Sequence, residues 1–504
     1  MKKEIILRRR TFYLLIIACI LSFAYNLNVV RQVSAKENSL SDKYQYLKTF
    51  TDVLALVEKN YVEPVNLDTL VEGAIKGMLL TLDPHSGYMD REVFKELQVE
   101  TKGEFGGLGI EITVKDGLLT VVAPIEDSPA ARAGLKAGDQ IIKIGDEFTK
   151  NLSLIDAVKK MRGPKGSPVN ISVHREGAKE LIPITVIRDI IRVKSVRSRP
   201  LEDGYGYVRI AQFQDGSEEE FRDSLKKLGT YKDKEGHVGL RGLVVDLRND
   251  PGGLLTQAVR VSDIFLKEGV IVYTDGRLES QKQKYYAHDD SNEPEFPMVV
   301  IVNGGSASAS EIVAGAMQDH GRALILGQQT FGKGSVQTIF PLEDDDALRL
   351  TTALYYTKSG RSIQAQGISP DIVVSEKKFP TDSEEVLEED EGAEPMKERD
   401  LPGALKNPHL KPDQKGVKED GAAKESEKEQ GSQSKSGAGS KKKAEPERVN
   451  IGSESAMTMD LAKLLRDDPQ LAEALRLLKT WNVFQGKPTP PSKVKEAAQA
   501  QTNG

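Results

Sequence analysis

Cysteine is nearly missing from this chain: among 504 residues there is one, Cys19, inside an apolar run near the N-terminus. Everything after it lacks thiols, which excludes a disulfide scaffold, cysteine-ligated zinc or iron–sulfur, and a thiol nucleophile. An excess of either charge is missing too. Seventy Lys and Arg face 76 Asp and Glu, a net charge of −6, so no global field draws in nucleic acid or anionic lipid. Aromatic residues stop between Phe379 and Trp481. That stretch is mostly Glu, Lys, Ser, Gly and Pro, which bury too little apolar surface to offset the entropy of ordering, so residues 377–450 read as a disordered polar linker. Elsewhere the chain is ordinary in composition and long enough for about three domains of ~150 residues.

Long apolar runs are equally scarce, with one exception. Lys2, Lys3, Arg8, Arg9 and Arg10 precede an uncharged stretch from Thr11 to Val30, and twenty helical residues at ~1.5 Å rise span a ~30 Å hydrocarbon core. Residues 1–35 therefore read as a signal peptide or signal anchor, with the remainder exported across the cytoplasmic membrane and either periplasmic or anchored facing the periplasm. Val33-Ser34-Ala35 has the small residues of a signal-peptidase site, and Ile16-Ile17-Ala18-Cys19 looks like a lipoprotein box.

Past this segment the texture changes three times. Over 40–98, Phe50, Val53, Leu54, Val57 and then Leu67, Leu70, Val71, Ile75 recur near helical spacing, predicting two amphipathic helices separated at Pro64 and a turn at Leu82-Asp83-Pro84-His85-Ser86-Gly87. Over 99–189 short β-branched runs alternate with glycine turns, predicting a compact β-rich module with helices only near Ala130–Ala133 and Leu154–Met161. Over 190–376 strands alternate with helices, the pattern of an α/β core. After the linker, apolar residues from Met457 to Leu478 line one face of a helical segment within 451–485, ahead of a disordered tail over 486–504. An isolated amphipathic helix is marginal in water, so this face needs a protein surface. A neighbouring subunit is the favoured surface and the parent core the alternative.

Three strings hold chemistry. Val299–Val302 is an apolar strand running into Asn303-Gly304-Gly305 and the serines Ser306, Ser308 and Ser310. Ser308-x-x-Glu311 is a capping box, and capping is the commoner fate of such a serine. A hydroxyl at a helix N-terminus nevertheless faces free N–H groups and the positive dipole end, where a developing oxyanion is stabilised. A nucleophilic serine needs a base. Six histidines are available, each with an ordinary surface or capping explanation. Lys333, flanked by Gly332 and Gly334, is another candidate, because burial lowers a lysine's pKa enough for it to act as base. Gln337 lies an even offset away, on the same side of an extended strand. The same stretch resembles a phosphate-binding loop, but Gly334 replaces the metal-binding hydroxyl and Val336 to Phe340 alternates as a strand rather than a helix. The third string, Asp246-Leu247-Arg248-Asn249-Asp250-Pro251-Gly252-Gly253, offers either a structural Asp–Arg pair or glycine N–H groups for an oxyanion.

Taken in order, LDPHSGYM, the β-module, VVDLRNDPGG, NGGSASASE, GQQTFGKGSVQ and GISPDI resemble the C-terminal processing peptidases, or tail-specific proteases, over about residues 40–376. The resemblance implies an α/β protease core with an inserted β-rich PDZ domain, N-terminal helices, and a disordered linker before C-terminal helices. It implies Ser308 as nucleophile, in preference to Ser306 and Ser310, Lys333 as general base and Gln337 as its orienting partner. The oxyanion hole would be the N–H groups of Ala309 and Gly253, with Gly252 as the alternative. Within the PDZ domain, Gly107-Leu108-Gly109-Ile110 would bind a substrate carboxylate, and Arg162 would couple substrate binding to activation. The implied partners are protein substrates held by their C-termini, a candidate adaptor protein and further copies of the chain, with no nucleic acid, metal or other cofactor. A noncatalytic PDZ adaptor on a degenerate protease scaffold is the rival reading.

Overall fold

Helix-breaking Pro64 separates two helices in a computed structural model that describes residues 43–115, 117–125, 127–232, 236, 238–376, 396–409 and 460–484. The first unit, ending at Thr81, contains a helix over 43–60 and another over Leu67–Leu80. Asn66 starts the second by accepting the N–H of Asp68 at 2.8 Å, which satisfies one orphan donor of its first turn. Tyr44, Tyr46, Leu47, Phe50 and Leu56 are exposed along the first helix. The signal segment lies outside the described residues, and no helix among those described is long and apolar enough to cross a membrane.

The second unit begins at Leu82. Its β-rich module is an antiparallel sheet in which Ile110–Lys115 is an edge strand, followed in order by Leu118–Pro124, Gln140–Ile144, Pro168–His174 and Ile182–Ile187. Alternation along these strands sends Leu119, Val121, Ile141, Ile171 and Val173 into one core with Ala157 and Met161 of the helix Leu154–Met161. A two-stranded ribbon, Glu104–Gly107 paired with Asp189–Arg192, closes the module where the chain enters and leaves it.

The α/β core is built on a six-stranded sheet ordered Val196–Pro200, Tyr205–Ile210, Gly242–Asp246, Met298–Val302, Leu324–Gly327, Ile372–Val373. All neighbours are parallel except the first pair. Parallel strands are buried on both faces, which is why Val299–Val302 reads as an unbroken apolar run. Helices Ser217–Thr230, Leu255–Asp263 and Ala309–Asp319 cover one face, where Phe221, Leu243, Val245, Val300 and Ile312 meet. A second, antiparallel sheet centres on Ala347–Thr357, which pairs with Gly87–Met89, Val270–Gly276 and Ser335–Pro341. Lys333 thus runs into a strand, as the alternation after it predicts.

Two expectations change here. The C-terminal helices Leu461–Asp467 and Pro469–Phe484 lie on the other face of their own chain's sheet. There Leu464, Leu471, Leu475 and Leu478 pack against Tyr205, Tyr207, Val244, Val299 and Ile301. The sheet offers the nearer apolar surface, so this face is not free for a neighbouring subunit. Within the span read as linker, residues 396–409 are ordered against the core, with Glu398 and Asn407 buried. Their polar side chains are paired with the core, a feature that composition does not reveal. The rest of 377–450 and the tail over 486–504 lie outside the described residues.

Candidate active site

The strand Met298–Val302 delivers the chain to a turn in which the three serines take different roles. Ser306 is fully buried, donating to the Leu247 carbonyl at 2.8 Å and accepting the Asn303 N–H at 2.9 Å. Ser310 is also fully buried, with its hydroxyl on the Asp250 carbonyl at 3.0 Å. Ser308 alone remains partly open, at φ 55° and ψ −111°. A non-glycine residue in such a region costs on the order of 1–3 kcal/mol and persists only where its surroundings over-determine it. Its hydroxyl lies beside the Tyr355 hydroxyl. The following residue, Ala309, opens the helix, and first-turn N–H groups have no partner inside the helix.

Glu311 joins this turn to the lysine loop. Its carboxylate, fully buried, accepts the Ser308 N–H at 2.8 Å, the Lys333 N–H at 2.9 Å, the Gly332 N–H at 2.7 Å and the Thr330 hydroxyl at 2.5 Å. Burial pushes its pKa up to about 7 against the pull of those four donors. The folded form therefore binds an extra proton between the usual glutamate value and about 7, and this group's contribution to stability falls as pH rises through that window. Glu311→Gln would turn an NH₂ toward at least one N–H donor, Gly332 on one side or Ser308 and Lys333 on the other. We expect it to lower the melting temperature by several degrees, flatten the pH dependence of melting between pH 5 and 7, and reduce kcat at least tenfold. Melting curves at several pH values and steady-state kinetics check this.

Lys333 donates from Nζ to Gln337 Oε1 at 2.7 Å, the contact that the even spacing predicts. Burial drives the lysine's pKa below its usual value. Among the surrounding charges, Glu398, Glu311 and Asp83 oppose that shift while Arg349 assists it. Gln337 is oriented in turn: its Nε2 donates to Ser335 Oγ at 3.0 Å and to Thr351 Oγ1 at 3.3 Å, and Thr351 donates to Asp83 Oδ1 at 3.0 Å. The LDPHSG turn, which offered no role from its residues alone, therefore props the lysine's partner. Tyr355 is a further residue that sequence reasoning missed. Its buried hydroxyl donates to the Lys333 carbonyl and also lies against the Ser308 side chain. An aromatic residue in a β-strand gives no signal for this.

The glycine loop lies directly against the serine. A Cβ added at Gly252, where φ is +101°, would come within 2.8 Å of Ser308 Cβ and 2.9 Å of the Ala309 nitrogen. The Gly252 N–H is already held by Asp250 Oδ1 at 2.9 Å, which favours Gly253 over Gly252 as the loop's donor. Asp246 and Arg248 form the structural pair, with Arg248 Nη2 on Asp246 Oδ2 at 2.6 Å. The opposing charges hold the Asp246 pKa at about 2 despite burial. Arg248 also grips the C-terminal helices, reaching Asp468 at 3.0 and 2.8 Å and Gln470 at 2.9 Å.

Of the six histidines, His237 lies outside the described residues. The others have partners elsewhere: His85 on Glu398, His174 in strand pairing with Gln140, His288 on Asp263, His320 on the Val270 carbonyl and His409 beside Tyr356. Ser308, Ala309, Lys333, Gln337 and the glycine loop with Gly253 thus come together in the α/β core. Gly107, Leu108, Gly109, Ile110 and Arg162 form a second group on the β-module. Leu108 is buried with its carbonyl on the Ala130 N–H at 2.9 Å, and Gly109 takes φ +74° where a Cβ would meet Ser128 Cβ at 2.4 Å. Ile110 opens the edge strand, and the Arg162 guanidinium stacks on the Phe105 ring of the ribbon, 4.8 Å from its centroid.

Comparison with known proteins bears on both groups. The Peptidase family S41 profile matches residues 204–374, the PDZ domain profile residues 120–175, and the profile of the activating protease CtpB N-terminal domain residues 18–93. The carboxy-terminal-processing protease of Bartonella bacilliformis is 49% identical over 348 residues, 69% of this chain and 79% of that protein. The carboxy-terminal processing protease CtpA of Bacillus subtilis is 32% identical over 369 residues, 72% of this chain and 76% of that protein. Among solved structures, the photosystem II D1 C-terminal processing protease is 29% identical, with a TM-score of 0.38, over 65% of this chain and 92% of that one. With a relative 49% identical across four-fifths of its length and an S41 core containing the serine loop, the lysine loop and the glycine loop, this chain belongs to the carboxy-terminal-processing proteases of peptidase family S41 and is a serine-type peptidase.

Proposed function

We propose that the chain is an endopeptidase that takes protein C-termini on its PDZ domain and hydrolyses them with a Ser308–Lys333 dyad. The observation that carries this reading is the buried lysine amine seated on Gln337, in a loop tied through Glu311 to the backbone of the one open serine. Neutral Lys333 Nζ takes the Ser308 hydroxyl proton as Oγ bonds to the scissile carbonyl carbon. The carbonyl electron pair moves to oxygen, where the N–H groups of Ala309 and Gly253 stabilise the oxyanion. Collapse expels the amine, which leaves with the proton held on Lys333, and water activated by the same lysine then hydrolyses the acyl-enzyme. No metal enters these steps.

In the PDZ domain, the open edge of Ile110–Lys115 suits a substrate tail that adds a strand, with its terminal carboxylate received by the loop at Gly107–Ile110. Arg162, stacked at the ribbon between the modules, is the candidate coupler. An adaptor, homo-oligomers and action on exported proteins belong to the same proposal. Incubation with an unfolded protein should give cleavage that Ser308→Ala abolishes. If Ser308→Ala still cleaves, the nucleophile is misassigned; if the unmodified chain does not cleave, the noncatalytic adaptor reading returns. For the PDZ domain, amidating a peptide's C-terminus should raise KM or reduce activation severalfold. Equal cleavage of amidated and free-acid peptides would exclude carboxylate recognition.

A further inference from the structure

We propose that Glu398 is a positioning residue of the peptidase site: residues 396–409, beyond the S41 core, form a strap that places a buried carboxylate behind the lysine loop. The proposal rests on Lys333 being the base. Glu398 is fully buried, and a buried carboxylate is costly unless it is paired. Its partners are on the catalytic scaffold. His85 Nε2 lies 2.9 and 2.8 Å from its two oxygens, and Gln364 Nε2 donates to Oε1 at 2.9 Å.

The strap meets the lysine loop on both sides of Lys333. The Glu398 N–H donates to the Phe331 carbonyl at 3.2 Å. Gln364, which binds Glu398 with its amide nitrogen, accepts the Gly334 N–H on its amide oxygen at 2.9 Å. Asn407 fastens the other end of the strap, donating to the Gln364 carbonyl at 2.8 Å. His85 extends the link to the turn whose Asp83 holds Thr351 and hence Gln337. One carboxylate therefore joins the loop bearing the base to the turn that orients the base's partner.

Anchoring alone would not require a charge, since apolar groups of similar volume replace buried ion pairs at little cost. The groups facing Lys333 suggest what the charge does. Glu311 comes from the serine helix, Asp83 with His85 from the turn, Arg349 and Tyr355 from the strand Ala347–Thr357, and Glu398 from the strap. Of these charges Glu398 acts most strongly on the amine, favouring its protonated form. When Lys333 takes the serine proton, an ammonium forms in a site that burial makes hostile to it. A fixed carboxylate offsets part of that penalty and keeps the lysine basic enough to accept the proton.

The test is the pH dependence of kcat/KM for the full chain on an unfolded polypeptide. The wild-type acid limb should report deprotonation of Lys333. Glu398→Gln should move that limb at least half a pH unit lower and reduce plateau kcat about tenfold with KM unchanged, while Glu398→Asp should restore the limb. A uniform loss with the limb unmoved would make the strap a mere prop and overturn the proposal. Should Glu398→Gln fail to fold, the paired replacement His85→Phe with Glu398→Met removes charge and partner together, and the same shift is required of it. Full activity in Lys333→Ala would refute the dyad itself. Essential Lys333 with an unmoved limb in the Glu398 variants would refute this inference alone.

Discussion

Replacing Lys333 by arginine or alanine lowers turnover of an unfolded substrate by at least about 10³-fold, the expected consequence of removing a base that acts in concert with its nucleophile. Arginine keeps the charge but cannot give up its proton at any accessible pH, and its planar fork does not fit a seat shaped for one amine on Gln337. The alanine variant should keep its fold, because it removes a buried amine whose desolvation is a cost; the arginine variant keeps a charge there and should melt somewhat lower. Thermal melting of the purified variants, set beside their kinetics, separates the two effects. Near-normal turnover by Lys333→Arg would show that another group takes the serine proton.

Deleting residues 460–504 should destroy the fold rather than release a smaller active species. The segment buries Leu464, Leu471, Leu475 and Leu478 on the sheet, each worth about 1.5–3 kcal/mol. Its removal also strips Asp468 and Gln470 from Arg248, leaving Asp246 as its carboxylate partner. With Asp246 retained, that loss costs less than the ~3–5 kcal/mol of leaving a buried charge wholly unpaired. Together these terms rival the ~5–15 kcal/mol by which whole domains are stable. The truncated chain should aggregate in sedimentation velocity and lose its cooperative melt. Asp468→Leu alone should lower the melting temperature by several degrees, with a further loss of activity because Arg248 leads into the glycine loop beside Ser308. A truncated chain that melts normally and cleaves normally would contradict this account and return the segment to a role between subunits.

The difference between legible and illegible parts of the site follows from chain distance. Lys333 and Gln337 are four residues apart, and the contact expected from that spacing forms at 2.7 Å, although a register shift at Val336/Gln337 interrupts the strand between them. Ser308 and Glu311 belong to one capping motif, and the carboxylate does take the Ser308 N–H. That the same carboxylate also holds the Lys333 loop, 22 residues on, is not a property of the motif. Nor could spacing choose among Ser306, Ser308 and Ser310. The choice came from resemblance, and the burial of the outer two supports it.

Periodicity in the amino-acid chain was enough to specify the two N-terminal helices, the β-module, the alternating α/β core and the strand after Lys333, because which residues face inward is a local consequence of helix and strand geometry. Composition was enough to exclude thiol chemistry. Three things required the folded chain: the placement of 461–484 on its own sheet, the ordering of 396–409, and the convergence of Asp83, Glu398 and Tyr355 on the lysine loop. They depend on groups brought together from distant parts of the chain, as in His85–Glu398 and Arg248–Asp468. A charged residue destined for such a pair looks in the sequence like any solvated charge, since what distinguishes it is the partner that folding brings to it.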